Sequence, residues 1–218
     1  MTQFFLIRHG QSTSNAGHPS VDTRAVSLTE LGERQAAAAS QVLADIGAPS
    51  LIVASPYLRA QQTAAPTRAH FPAVPFETWP IQEFTYLHFP GETVYSERLP
   101  KMNVFWETGD ADSRAAHDLE SFNDLIGRVD DCVRRLKSCN LERVFLFAHC
   151  RYIQVFIWRW LVRSDQAASH SMTTFWNTRH LIRIPNLGYV QGVVKDDTLS
   201  LFPIETLVGG ELTSPRFS

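Results

Sequence analysis

Three cysteines in 218 residues, Cys132, Cys139 and Cys150, are an odd number confined to the second half. They make no disulfide framework, and no C-x-x-C pair offers a zinc or redox site, so a reducing compartment, the cytoplasm, is expected. Charge is equally scarce: 19% of residues are charged and the formal net charge is −2. No bulk positive field steers the molecule toward nucleic acid or an anionic membrane, so neither is expected as a partner. No apolar run reaches the roughly 20 residues that span a bilayer. The best, Ile153 to Val162, contains Gln154 and Arg159, and at the start Phe4-Phe5-Leu6-Ile7 halts at Arg8 with no basic segment before it, so no secretory signal is expected. His18, His70, His88, His117, His170 and His180 form no H-x-H or H-E-x-x-H set. A metal site is not expected on that ground. Internal repeats and low-complexity stretches are missing too.

What is present is apolar: 44% hydrophobic and 11% aromatic residues, enough for one soluble domain over 1–218 with an ample core. Gln3 to Arg8 reads as a buried strand that stops at Gly10. Ser27-Leu28-Thr29-Glu30 has the form of a capping box, with Leu31, Ala38, Val42 and Ile46 on one face of a helix ending before Gly47. Ser50 to Ala54 is a second strand, and Ser55-Pro56 opens a second helix through about Arg68. From about 70 to 116, five prolines (Pro72, Pro75, Pro80, Pro90, Pro100) break the chain, and Trp79, Phe84, Tyr86, Phe89, Phe105 and Trp106 are spread through it. Too short for its own core, this stretch is expected to form a lid or substrate wall.

An amphipathic helix follows from about Glu120 to Lys137, then a strand from Arg143 to Ala148, a helix from Cys150 to Val162, and a hairpin of Tyr189 to Val194 and Thr198 to Leu201 around Lys195-Asp196-Asp197. Repeated strand-then-helix units imply an α/β fold, a three-layer αβα sandwich with a mostly parallel central sheet. Active groups are then expected just past the strands' C-terminal ends.

That rule selects Arg8-His9-Gly10, Ser55 to Arg59, and His149. Taken singly, an Arg-His after a strand is a surface turn and a strand-end histidine is structural. Together, two arginines and two histidines over one crevice suit a phosphoryl group, because guanidinium forks match its oxygens two at a time and Gly10 lets the backbone approach closely. A neutral imidazole among these cations keeps a lone pair for phosphorus.

Four blocks in order then resemble the histidine phosphatase superfamily. Leu6-Ile7-Arg8-His9-Gly10-Gln11-Ser12, with Asn15, is similar to its Arg-His-Gly signature and phosphate-binding asparagine. Leu28-Thr29-Glu30-Leu31-Gly32-Glu33-Arg34-Gln35-Ala36 and Ser55-Pro56-Tyr57-Leu58-Arg59-Ala60-Gln61-Gln62-Thr63-Ala64 resemble its next two blocks. Val144-Phe145-Leu146-Phe147-Ala148-His149 resembles the strand that delivers its second histidine. The resemblance implies that His9 is phosphorylated, that Arg8, Asn15, Arg59 and His149 hold phosphoryl oxygens, and that Glu83, in a looser motif, is the acid.

It also implies a phosphomonoester hydrolase acting on a small phosphorylated metabolite, without a metal or cofactor. Two other readings are a phosphoglycerate mutase-type transferase and a non-catalytic phosphate-binding module. Mutase relatives carry an arginine-rich insert after the acid, whereas Phe84-Thr85-Tyr86-Leu87-His88-Phe89-Pro90-Gly91-Glu92 is aromatic rather than basic. Many relatives have glycine after the second histidine. Here His149-Cys150-Arg151 is expected to narrow the phosphate pocket or bring Arg151 near the substrate, with Cys150 a buried small side chain rather than a nucleophile. Arg24, Arg98 and Lys101 read as solvated charges or as a second anion site. Composition leaves the oligomeric state open.

Overall fold

A computed structural model of the chain describes residues 1–89, 93–162 and 168–209. Its elements are β1 (Thr2–Arg8), α1 (Glu30–Ile46), β2 (Leu51–Ala54), α2 (Leu58–His70), β3 (Phe76–Thr78), α3 (Tyr95–Glu107), α4 (Phe122–Ser138), β4 (Arg143–Ala148), α5 (Cys150–Val162), α6 (Ala168–Thr178), β5 (Gly188–Lys195) and β6 (Thr198–Thr206). The strands form one sheet in the order β3-β2-β4-β1-β5-β6. β3, β2, β4 and β1 pair in parallel, β5 runs antiparallel to both its neighbours, and β6 thereby regains the common direction.

Period-2 alternation in the central strands divides the core into two layers. Phe4 and Leu6 of β1 and Val144, Leu146 and Ala148 of β4 face α4 and α5, together with the aromatic residues of α3 and α6. Phe5 and Ile7 of β1 and Phe145 and Phe147 of β4 face α1 and α2 through Ala39, Leu43 and Ala64. Burial on both sides explains why these strands read as unbroken apolar runs, and each large side chain removed from water contributes about 1.5–3 kcal/mol. Opposite Phe4 in the ladder sits Gly192, where an added Cβ would lie 2.1 Å from the phenyl ring. Asp196 and Asp197, both at positive φ (46° and 64°), make the two-residue turn between β5 and β6.

Some boundaries differ from the sequence-based expectation. α1 is capped by Thr29, whose side chain accepts the Gly32 N–H, and not by Ser27. Its buried face is Gly32, Gln35, Ala36, Ala39, Ser40 and Leu43, while Val42 is 40% exposed. Small and polar residues face inward there because α1 lies directly against the turn after β1, where close approach excludes bulk. α2 starts at Leu58 rather than Ser55, leaving the Ser55 side chain to a different partner, described below. α4 is capped by Ser121 and Asp124, so Glu120 stays outside the helix.

In the stretch expected to be irregular, Trp79, Phe84, Tyr86, Phe105 and Trp106 are buried. The rings of Phe84, Tyr86, Phe105 and Trp106 meet one another and Phe122 and Phe175 in a continuous aromatic cluster against α4 and α6, and Trp79 is buried in the same core layer with the Arg135 guanidinium over its ring. Core packing therefore accounts for all five. Pro90, Gly91 and Glu92 lie outside the described residues.

Candidate active site

Parallel neighbours place the C-terminal ends of β1, β4 and β2 side by side, with Arg8 opposite Ala148 and Ala54 opposite Phe147. One residue further on, the ladder continues: the His9 N–H donates to the Ala148 carbonyl (3.0 Å) and the Ser55 N–H to the Phe147 carbonyl (2.9 Å). His9, Ser55 and His149 consequently emerge at one point. The two imidazole rings are 5.1 Å apart between centroids, and His149 Nε2 lies 2.7 Å from Ser55 Oγ.

The proton on His9 is placed by its partners. Its Nδ1 is 2.7 Å from the Gly10 carbonyl oxygen, which can only accept, so Nδ1 carries the hydrogen. Nε2 is left with its lone pair, which accepts the Arg59 Nε–H at 3.1 Å. Burial, then the charges of Arg59 and Arg8, hold the His9 pKa well below the ordinary 6.5, so the ring is neutral. His149 is likewise held well below 6.5 by burial and by Arg59. Arg59, itself buried, is lowered to about 10 by desolvation and remains a cation at neutral pH. Its Nη1 donates to the Thr23 carbonyl at 2.6 Å.

Two buried polar atoms around this centre have no hydrogen-bond partner among the described residues: Arg8 Nε and His149 Nδ1. Arg8 is otherwise anchored by Nη1, which donates to the Ile184 carbonyl at 2.6 Å. Unsatisfied buried polar atoms are costly, and these two, near a neutral imidazole and a buried guanidinium, are free to bond a further polar group.

The surrounding motif residues brace the turn after β1. The Gly10 N–H donates to Thr63 Oγ1 (3.1 Å), which in turn donates to the Arg59 carbonyl (2.6 Å). The Gln11 N–H donates to Gln35 Oε1 (2.7 Å), Thr29 Oγ1 donates to Gln11 Oε1 (2.8 Å), and the Leu28 N–H donates to Gln62 Oε1 (2.8 Å). Gly10 serves helix packing: a Cβ there would stand 2.8 Å from the Gly32 carbonyl oxygen, and one on Gly32 would stand 2.0 Å from that of Gln11. The close approach expected of Gly10 toward a ligand is thus made toward α1.

Asn15 is drawn in by its side-chain oxygen, which accepts the Ser12 N–H (3.3 Å) and Asn186 Nδ2 (3.1 Å), leaving its NH2 end as the donor. Asn186 was not legible in the sequence. Its Nδ2 also donates to the His9 carbonyl (3.0 Å), tying the second half of the chain to the His9 turn. Ile184-Pro185-Asn186 carries no motif signal. Leu187, which follows, sits at φ 56° with its side chain fully buried, a conformation costing about 1–2 kcal/mol that turns Asn186 back toward β1.

Glu83 reaches the same centre. One carboxylate oxygen accepts the Phe84 N–H (3.1 Å) and the other the Arg151 N–H (3.3 Å), so the group rests on the first turn of α5, just past His149. The Arg151 guanidinium turns away, to Gln154 Oε1 (2.9 Å) and the rings of Phe175 and Trp176. What Arg151 presents to the centre is its backbone N–H, and the expected approach of its side chain toward a substrate is not what this packing produces. Cys150 is half-buried against the core. Arg98 is buried and ties Ser20 to Thr93 by four hydrogen bonds, and Arg24 and Lys101 are exposed. Among the described residues no three His, Cys, Asp or Glu side chains gather as a metal ligand set. No helix among them is long and apolar enough to cross a membrane.

Fold and site together define an α/β protein whose parallel strand ends gather two neutral imidazoles, two guanidinium groups and one carboxylate. The chain belongs to the histidine phosphatase superfamily (branch 1), whose family model matches residues 4–181. No curated protein matches it in sequence. Solved structures share its fold. The alpha-ribazole phosphatase from Shigella flexneri is 18% identical, with a TM-score of 0.71 over 95% of this chain and 98% of that one. Phosphoserine phosphatase from Entamoeba histolytica, as a mutant bound to phosphoserine, is 19% identical, with a TM-score of 0.70 over 95% and 98%. A mycobacterial glucosyl-3-phosphoglycerate phosphatase in complex with VO3 is 23% identical, with a TM-score of 0.70 over 92% and 96%.

Proposed function

We propose that this protein is a metal-independent phosphomonoester hydrolase of the cytoplasm that acts on a small phosphorylated metabolite through a phosphohistidine at His9. The carrying observation is the tautomer of His9: Nδ1–H is fixed on the Gly10 carbonyl and the Nε2 lone pair is held among cations. In the first step Nε2 attacks phosphorus in line. The N–P bond forms, the P–O bond to the alcohol breaks, and Glu83 in its acid form delivers a proton to the leaving oxygen. Arg59 Nε transfers its hydrogen bond from Nε2 to a phosphoryl oxygen, joined by Arg8 Nε, His149 Nδ1 and the Asn15 amide. In the second step Glu83 takes a proton from water, the O–P bond forms, the N–P bond breaks, and the pair returns to Nε2.

Structural neighbours named for phosphoserine, alpha-ribazole and glucosyl-3-phosphoglycerate phosphatase reactions support hydrolysis in general and favour no one leaving group. The aromatic character of residues 84–89 favours release of phosphate to water over transfer to a second anionic substrate. The insertion at about 70–116 supplies Glu83 and would form the wall on the leaving-group side. Three unpaired thiols accord with a reducing compartment. The test is p-nitrophenyl phosphate turnover in excess chelator with acid-labile phosphoenzyme trapped on the way. Turnover and trapping should both vanish in His9→Ala. Turnover that survives His9→Ala, or stops with chelator, sinks this assignment.

A further inference from the structure

Glu83 lies in a segment, 79–89, with no helix or strand of its own. A proton donor is useful only when held to about half an ångström, which irregular backbone does not provide by itself. Two residues outside the motifs supply that hold. From α4, Arg128 Nη1 donates to the Pro80 carbonyl (2.9 Å) and the Gln82 carbonyl (3.0 Å), just ahead of Glu83. The same guanidinium grips Glu120 with Nε on one oxygen (2.6 Å) and Nη2 on the other (3.0 Å). Glu120 then accepts the Thr85 N–H (3.0 Å), two residues beyond Glu83, and its own N–H donates to the Thr85 carbonyl (3.0 Å). The acid's backbone is thus held on both sides by one ion pair, and only a planar fork with five donors makes this set of bonds.

The pair is more than a solvated surface bridge, since the Arg128 and Glu120 side chains are 12% and 20% exposed. It is anchored to the core, because Leu125 and Val129, near Arg128 on α4, are buried there. Tyr57 OH, 2.5 Å from Thr85 Oγ1, extends the brace to the start of α2 and so to Arg59.

We propose that the Arg128–Glu120 pair is a positioning device for the Glu83 carboxylate, setting it over the leaving oxygen of the phosphoester. The inference rests on the phosphohistidine reading above and adds to it two residues outside the phosphate-binding set.

The experiment compares kcat/KM for β-glycerophosphate, whose alkoxide needs a proton, with that for p-nitrophenyl phosphate, whose phenolate hardly does. Arg128→Lys and Glu120→Gln should each lower the first at least about tenfold and leave the second within about threefold, as expected when general-acid assistance is misaligned. In a Glu83→Gln background the same changes should add no further selective loss. Phosphoenzyme trapping from p-nitrophenyl phosphate should persist in both variants, whereas the His9 reading fails if wild-type trapping fails, which separates the two failures and withdraws the inference with its basis. Equal losses on both substrates, following the fall in Tm, or selective losses that add to that of Glu83→Gln, would overturn the positioning role.

Discussion

Acid should unfold this protein along a slope set in part by His9 and His149. Both are buried, at 3% and 0% exposure, and burial together with the neighbouring arginines holds each pKa well below 6.5. In the unfolded chain both rings titrate near the ordinary value. Below it the unfolded form binds protons that the folded form refuses, so stability is present at and above neutral pH and is lost as pH falls from 6.5 toward the depressed folded values. Over each pH unit in which one histidine is charged unfolded and neutral folded, the loss is about 1.4 kcal/mol, or about 2.7 kcal/mol for the two. That is a large share of the roughly 5–15 kcal/mol available to a domain. Urea denaturation at a series of pH values between about 7.5 and 5 measures the slope, and His9→Gln and His149→Gln should each remove about half of the two-histidine share. Comparing slopes cancels whatever the three proteins have in common, the exposed His88–Asp118 pair included. Slopes unchanged in both variants would refute the placement of two neutral imidazoles in the fold.

Three other outcomes are expected. Gly32→Ala places a methyl 2.0 Å from the Gln11 carbonyl oxygen, a backbone atom that cannot swing aside, and should cost about 3 kcal/mol or more in chemical denaturation. Asn186→Ala removes the bonds to the His9 carbonyl and Asn15 Oδ1, each worth about 1 kcal/mol, so kcat/KM should fall about 10- to 100-fold while circular dichroism stays unchanged. Glu83→Gln should lower kcat/KM, which reports the leaving-group step alone, by about two orders of magnitude more for alkyl phosphates than for p-nitrophenyl phosphate. Equal losses would move the acid role to another residue.

Where the order of apolar residues carries its own meaning, sequence reading and structure coincide. β4 and α5 have the expected limits because an apolar run flanked by Asn140 and by His149 admits one solution. α3 was hidden, since Pro100 lies inside it and argues for a break. Burial of Met102, Phe105 and Trp106 against the aromatic cluster outweighs that cost, and Glu97 accepts the Val94 N–H at the helix start. The inward face of α1 was misread in part: Ala38 and Ile46 do pack against the core, but the start of the helix meets the backbone of the turn after β1 and needs glycine and glutamine, which hydrophobicity does not signal.

The site divides in the same way. Strand ends alone pointed to Arg8, His9, Arg59 and His149, because each lies at or beside the end of an element, whereas Asn15 lies in the loop after β1 and was supplied by the family resemblance. Asn186 and the Arg128–Glu120 pair carry no local signature. They act by hydrogen bonds across 177 and 46 residues of chain, and such contacts exist only once the sheet has brought β1, the Glu83 segment and α4 together. The sequence by itself therefore determined the alternating layers, the order of elements and the chemistry available at the strand ends. Tertiary structure alone decided which nitrogen of His9 bears the proton, which buried atoms lack a partner among the described residues, and which bonds bracket the backbone at Glu83. Each of those depends on distances between groups that no local stretch of chain controls.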